Sequence, residues 1–188
     1  MIPTGEMRQE PLPEAMRQLL DFYPRDSWDA HPNFKLATQS WLGAHQMFRR
    51  LSRIVRLDAE TYLDGLEDEG KFAKRLSQRG NALIGNLQGH HSWEDYVYFP
   101  ELSAADPRFD AGLAILERDH QVLDGVLHDF ADAAISTINL ISQENRLARD
   151  EVSRVHQAAT GIENLLARHL TDEEELAVPI ILHHKLRG

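Results

Sequence analysis

"GHHSWEDYVYFP", residues 89–100, has a counterpart later in the chain in "HLTDEEELAVP", residues 169–179. Both carry a histidine, a glutamate four positions on, an acidic residue directly after it, and a proline ten positions after the histidine. The residues are His90, Glu94, Asp95 and Pro100 in one copy, and His169, Glu173, Glu174 and Pro179 in the other. Side chains at i and i+4 leave the same face of an α-helix, so each copy reads as a helix presenting one imidazole and one carboxylate together. Each proline is expected to end or kink its helix just past that pair.

Outward from these stretches, apolar residues recur at three- and four-residue steps in four long segments. Residues 33–63 place Trp41, Leu42, His45 and Phe48 on one stripe, with Arg49, Arg50, Arg53 and Arg56 on what reads as the solvated side. Residues 69–99 carry Leu76, Leu83, Leu87, His90 and Glu94. A third segment opens at "DPRFDAGL" and carries Leu116, His120, Leu123, Asp124 and Leu127; the last begins near Ser142 and carries Val155, Ile162, Leu166, His169 and Glu173. Four amphipathic helices with short connections give an all-α fold, an antiparallel up-down-up-down four-helix bundle over residues 31–188. Pro3, Pro11, Pro13, Pro24 and Pro32 make residues 1–30 an irregular N-terminal extension, with a short helix at 14–22 and with Phe22, Tyr23 and Trp28 packed onto the body. Gly80, Gly85 and Gly89 each cost the second helix about 1 kcal/mol relative to alanine. Gly85 and Gly89 share a face and either admit a neighbouring ring or loosen an exposed side.

Every segment carries a histidine on its apolar stripe. His45 and His120 come early to middle in their helices, His90 and His169 late in theirs. Because neighbouring helices run in opposite directions, the four meet at one level of the core, joined there by Glu94 and Glu173. Burying unpaired carboxylates is costly, and a divalent cation removes that penalty. Four imidazoles and two carboxylates at one level point to bound metal. With no cysteine, a disulfide framework, an iron–sulfur cluster and a thiolate zinc site are all excluded, so the metal sits on nitrogen and oxygen. A net charge of −10 disfavours nucleic acid and anionic membrane surfaces as partners. No run approaches the about 20 apolar residues of a membrane span. The amino terminus has neither the basic start nor the apolar segment of a secretory signal, and the expected location is cytoplasmic.

The paired His-x-x-x-Glu motif resembles the hemerythrin family, in its HHE cation-binding branch, over roughly residues 31–186. The resemblance implies terminal metal ligands at His45, His90, His120 and His169, with Glu94 and Glu173 bridging two non-haem Fe ions that share an oxo or hydroxo group. The chain departs from the oxygen-carrying members on the third helix. They have His-x-x-x-His there; this chain has His120 and Asp124. Asp124 is open as a ligand, as an acceptor for an imidazole N–H, or as a solvated residue. As a ligand it adds negative charge and favours the ferric state; its loss opens a coordination position. Either outcome shifts the expectation from reversible oxygen carriage toward oxidation chemistry or sensing, and a mixed nitrogen and oxygen set also accepts Mn or Zn. The Glu-x-x-His repeat of ferritin-like proteins and the His-Glu-x-x-His zinc protease signature are both absent.

The remaining candidates are set aside from ligation. His91 points about a quarter-turn from His90, Asp95 flanks the motif, and Glu174 and Glu175 read as a solvated face. His128 is placed to pair with a core carboxylate; His31, His156, His183 and His184 lie off the level of the site. Trp41, Leu42 and Trp93 are expected to wall the pocket, and Tyr96 and Tyr98 are the phenols near it. Three functions stay open: binding or sensing of oxygen, peroxide, nitric oxide or iron; an enzyme reducing oxygen, peroxide or a nitrogen oxide; and a metal-dependent regulator.

Overall fold

A computed structural model of the chain describes residue 8 and residues 10–186. Residues 1–7 and 9 of the expected extension, Pro3 among them, and residues 187–188 lie outside the described residues. Among the described residues five α-helices follow one another: α1 Leu36–Leu63, α2 Glu69–Trp93, α3 Phe99–Ala105, α4 Asp110–Ser142 and α5 Ala148–His184. The long helices α1, α2, α4 and α5 form the four-helix bundle, with packing contacts α1 to α2, α2 to α4, α4 to α5 and α5 back to α1. No strand occurs among the described residues, and none of their helices is long and apolar enough to cross a membrane.

Local chemistry sets the helix ends. The Asp68 side chain accepts from the Lys71 N–H at the start of α2, satisfying a donor that the helix itself leaves free. Glu144 adopts φ 51° and breaks the chain after α4. The last helix therefore begins at Ala148 and not near Ser142, which closes α4 instead. Neither motif proline stops its helix. Pro179 is buried inside α5, which continues to His184, and Pro100 is near the start of α3. Between α2 and α3 runs a single π-helical turn, Glu94–Tyr98, closed by a bond from the Phe99 N–H to the Glu94 carbonyl. The widened turn falls where proline's missing donor and its ring would disrupt a regular helix, so the chain carries on through Pro100.

The apolar core is in two parts. One contains Phe48, Leu87, Leu123, Phe130 and Leu170; the other contains Trp41, Tyr98, Leu116 and Leu176. On α1 the chain passes from Trp41 to Phe48 through His45. Along α2 and the π-helical turn after it the chain passes from Leu87 to Tyr98 through His91 and Glu94, on α4 from Leu116 to Leu123 through His120, and on α5 from Leu170 to Leu176 through Glu173. A buried polar layer thus separates two apolar ones. The extension belongs to the second part, to which Leu12, Leu19 and Trp28 contribute buried side chains. Where a short helix was expected, it forms two 3₁₀ turns, Glu14–Met16 and Gln18–Asp21. Phe22, expected on the body, is 77 % exposed.

The close approach along α2 occurs at Gly80, where an added Cβ would lie 3.2 Å from the Phe130 ring; Gly85 and Gly89 face open space. Phe130 is fully buried at this contact. Its replacement by alanine is expected to destabilise the metal-free protein by about 3–5 kcal/mol, measured by urea unfolding.

Candidate metal centre

All four stripe histidines and both glutamates converge in the polar layer. His45, Glu94, His120, His169 and Glu173 are each no more than 2 % exposed. The Nε2 atoms of His45 and His90 are 3.0 Å apart, and those of His120 and His169 are 3.1 Å apart. Glu94 divides its two oxygens between these pairs. Oε1 is 2.8 Å from His90 Nε2 and 3.7 Å from His45 Nε2, while Oε2 is 3.7 Å from His120 Nε2. Glu173 Oε2 also faces both, at 3.6 Å from His45 Nε2 and 3.6 Å from His169 Nε2.

His91 is the residue that the sequence reading set aside and the fold brings in. It is 3 % exposed and stacks on His120 with ring centroids 4.0 Å apart. Donor atoms of His91, His120 and His169 lie within 4.8 Å of one another, as do those of His45, His90 and Glu94, and those of Glu94, His120 and Glu173. The buried stripe of α2 runs Phe72, Leu76, Gly80, Leu83, Leu87, His91, so that His90 and His91 straddle its midline. The signal was available in the four-residue step from Leu87. Asp124 goes the other way. On α4 the stripe takes a three-residue step from His120 to Leu123 and leaves Asp124 exposed on its flank, in a groove with Gln88, Gln121 and His128. The structure does not bring Asp124 to the cluster.

Each remaining detail of the layer fits a cation. Both ring nitrogens of His91, both oxygens of Glu173 and Oε2 of Glu94 are buried without a hydrogen-bond partner. Such orphaned groups are rare in proteins and are ordinarily explained by a bound species. Burial, together with the charge of Glu94, pushes the Glu173 carboxyl well above its usual range. Burial acts on Glu94 in the same sense, but pairing with His45 and His90 overrides it and holds that carboxyl well below the usual range. Two carboxylates side by side in an apolar interior share one proton, and a cation can replace it. Burial also depresses the His91 imidazole and brings His169 down to about 4, which keeps both in the neutral form that ligates.

The outer nitrogens of three histidines are also engaged. Glu174, expected in solvent, is buried and bonds His45 Nδ1 at 3.0 Å; Asp95, expected as a bystander, bonds His120 Nδ1 at 2.7 Å; Asp119 is 3.5 Å from His169 Nδ1. Trp41 does more than wall the pocket, since its Nε1–H donates to Glu94 Oε1 at 2.7 Å. His128 is exposed and pairs with Asp132 across one helical turn, not with a core carboxylate. Arg49 and Arg56, read as solvated, pair with Glu174 and with Glu60 and Glu163.

The family model described as the hemerythrin HHE cation binding domain matches residues 36–181. The chain belongs to this family. No curated protein and no solved structure matches it. The matched region of this hemerythrin domain takes in the whole of the histidine and glutamate layer, and the domain binds metal cations, typically iron. Among its described residues outside the match, the 3₁₀ turn Gln18–Asp21 packs against α5.

The carboxylates behind the clustered histidines contribute to the acid behaviour of the metal-free domain. Burial raises the Glu174 carboxyl, but His45, Arg49 and Arg25 outweigh it and bring it down from 4.5 to about 2. A depressed carboxyl stabilises the fold above its unfolded value, and that contribution is lost as pH falls from about 4.5 to about 2. Glu174→Gln is therefore expected to flatten the fall in stability over that interval relative to the parent chain, measured by urea unfolding of metal-free protein at successive pH values.

Proposed function

We propose that this hemerythrin domain is a non-haem di-iron protein of the cytoplasm that binds or senses oxygen, a reactive oxygen or nitrogen species such as peroxide or nitric oxide, or iron itself. The observation that carries the reading is the division of Glu94, whose two carboxylate oxygens face two different histidine clusters. One ion is assigned to His45 and His90, the other to His91, His120 and His169. Glu94 and Glu173 are assigned as the shared bridges. When bound, the metal pair supplies reversible one-electron chemistry and an electrophilic surface for a small ligand. Mixed imidazole and carboxylate donors also accept Mn or Zn, so iron rests on the family and on the resemblance.

The protein's own residues define what the site can do. The two-histidine cluster offers fewer protein donors than its neighbour, so it is the side left for an exogenous ligand. Placing His91 in the set and Asp124 outside it restores five imidazoles and two carboxylates, the same donor count as a third helix with two histidines. The extra negative charge expected from Asp124 is removed with it. Charge therefore no longer opposes reversible binding, and binding or sensing is favoured over turnover. Trp41 orients one oxygen of Glu94, and the two apolar layers keep bulk water from the ions. The net charge of −10 supports a small-molecule ligand over nucleic acid.

Metal analysis of the purified chain is expected to give two irons. His91→Ala is expected to lose one of them and Asp124→Ala neither, whereas Glu94→Ala combined with Glu173→Ala loses both. An unaltered iron content in His91→Ala, or one zinc per chain in the parent, contradicts the assignment. Anaerobic reduction followed by exposure to oxygen separates the functional alternatives. A visible band that forms on exposure and disappears under vacuum supports reversible binding, and rapid irreversible oxidation supports the enzymatic alternative.

A further inference from the structure

The extension places arginines on the carboxylates behind the metal-facing histidines, once for each cluster. Behind His45 stands Glu174, whose Oε1 meets His45 Nδ1 at 3.0 Å and Arg49 Nη1 at 2.7 Å, while its Oε2 meets Arg25 Nη1 at 2.6 Å. Behind His169 stands Asp119. Its Oδ2 is 3.5 Å from His169 Nδ1 and 2.7 Å from Arg8 Nη2, and the other end of the Arg8 fork, Nη1, meets Asp172 Oδ2 at 2.8 Å. Glu174, Asp119 and Asp172 are all buried. Arg8 is also anchored on the Glu10 carbonyl, and Arg25 lies over the buried Trp28 ring, 4.7 Å from its centroid. Arg17, the third arginine of the segment, reaches only Glu175 and the Leu12 carbonyl, neither of which touches a site histidine.

The partners of the remaining histidines make the pattern specific. Asp95, behind His120, has no arginine partner among the described ion pairs, and its side chain is 33 % exposed. The extension thus reaches one histidine of each cluster and leaves the others to the bundle. A carboxylate on the outer nitrogen of a metal-bound imidazole raises the donor strength of the inner one. A cation on that carboxylate draws the charge back.

We propose that residue 8 and residues 10–28 form an arginine strap that tunes the two metals separately, Arg25 acting through Glu174 and His45 on one ion and Arg8 through Asp119 and His169 on the other. This rests on the di-iron reading. Both arginines are positioning residues, since neither touches the metal-facing atoms. Removing either positive charge strengthens the imidazole behind which it stands, stabilises the oxidised form of that ion and lowers its reduction potential. A partner or modification that lifts the strap would move both ions in the same direction at once.

The test uses the full-length chain loaded with iron, read by Mössbauer spectroscopy of the oxidised protein and by reductive titration, with circular dichroism confirming helical content. Arg25→Gln is expected to shift the quadrupole doublet of one iron and Arg8→Gln that of the other, each with a lowered reduction potential. Arg17→Gln is expected to leave both doublets in place. Arg25→Lys, which keeps the charge, returns the doublet toward that of the parent. If either variant fails to fold, Glu174→Gln and Asp119→Asn probe the same connections and are expected to weaken metal binding by about 10- to 100-fold. Two irons in the parent with doublets that do not move in the arginine variants, or that move equally in Arg17→Gln, overturn the strap alone. A parent chain without a metal pair overturns the di-iron reading beneath it.

Discussion

Glu94 and Glu173 present two carboxyl groups to each other in an interior sealed above and below by apolar side chains. Left with only one another, they cannot both ionise, because like charges at short range in a low-dielectric interior repel strongly. Every other feature of the layer answers that problem. Four of the five imidazoles in the layer are arranged with inner nitrogens toward the carboxylates, Trp41 donates to one oxygen, and the outer nitrogens of three of the imidazoles lean on further carboxylates. The two halves of the core are consequently joined across a polar seam, and the bundle's four long helices are in register because each supplies at least one residue to it.

The fold was largely legible because helix periodicity is a local property. Stripes of leucine and valine at three- and four-residue steps identify α1, α2, α4 and α5 without any knowledge of their neighbours. The ends were harder to read. Glu144 breaks the chain through a left-handed backbone conformation in a stretch without glycine or proline, which no composition rule announces. Pro100 and Pro179 read as stops by their covalent chemistry, yet tertiary packing holds the helix through both. Local propensity is a weak force beside a buried face.

The site was legible to the extent that its residues repeat. The two His-x-x-x-Glu copies carry their own evidence and name four of the seven residues that converge, and the histidines on the apolar stripes of the other two helices, His45 and His120, add two more. His91 and Asp124 were exchanged because both decisions depend on a rotation of tens of degrees about a helix axis, finer than a spacing rule resolves. The same holds for Glu174 and Asp95, and Asp119 drew no reading at all. An acidic run looks solvated in sequence, and only the approach of another element shows which of its members is buried. The role of the extension is the extreme case, since Arg8 and Arg25 are separated from their carboxylate partners by more than a hundred positions.

The π-helical turn at Glu94–Tyr98 has a consequence for how freely this chain can change. It contributes one residue more than a regular turn, so everything after it is rotated about a quarter of a circle relative to α2. A single deletion in "EDYVY" would remove the widened turn and leave Pro100 inside a regular helix, where its missing N–H and its ring cost about 3 kcal/mol or more. Removal of Tyr96 or Val97 would also swing Tyr98 and Phe99 off the positions from which they face Trp41 and His120. The irregular turn that accommodates Pro100 therefore also fixes the surroundings of the histidine layer, and a redesign toward regular helices would disturb both at once.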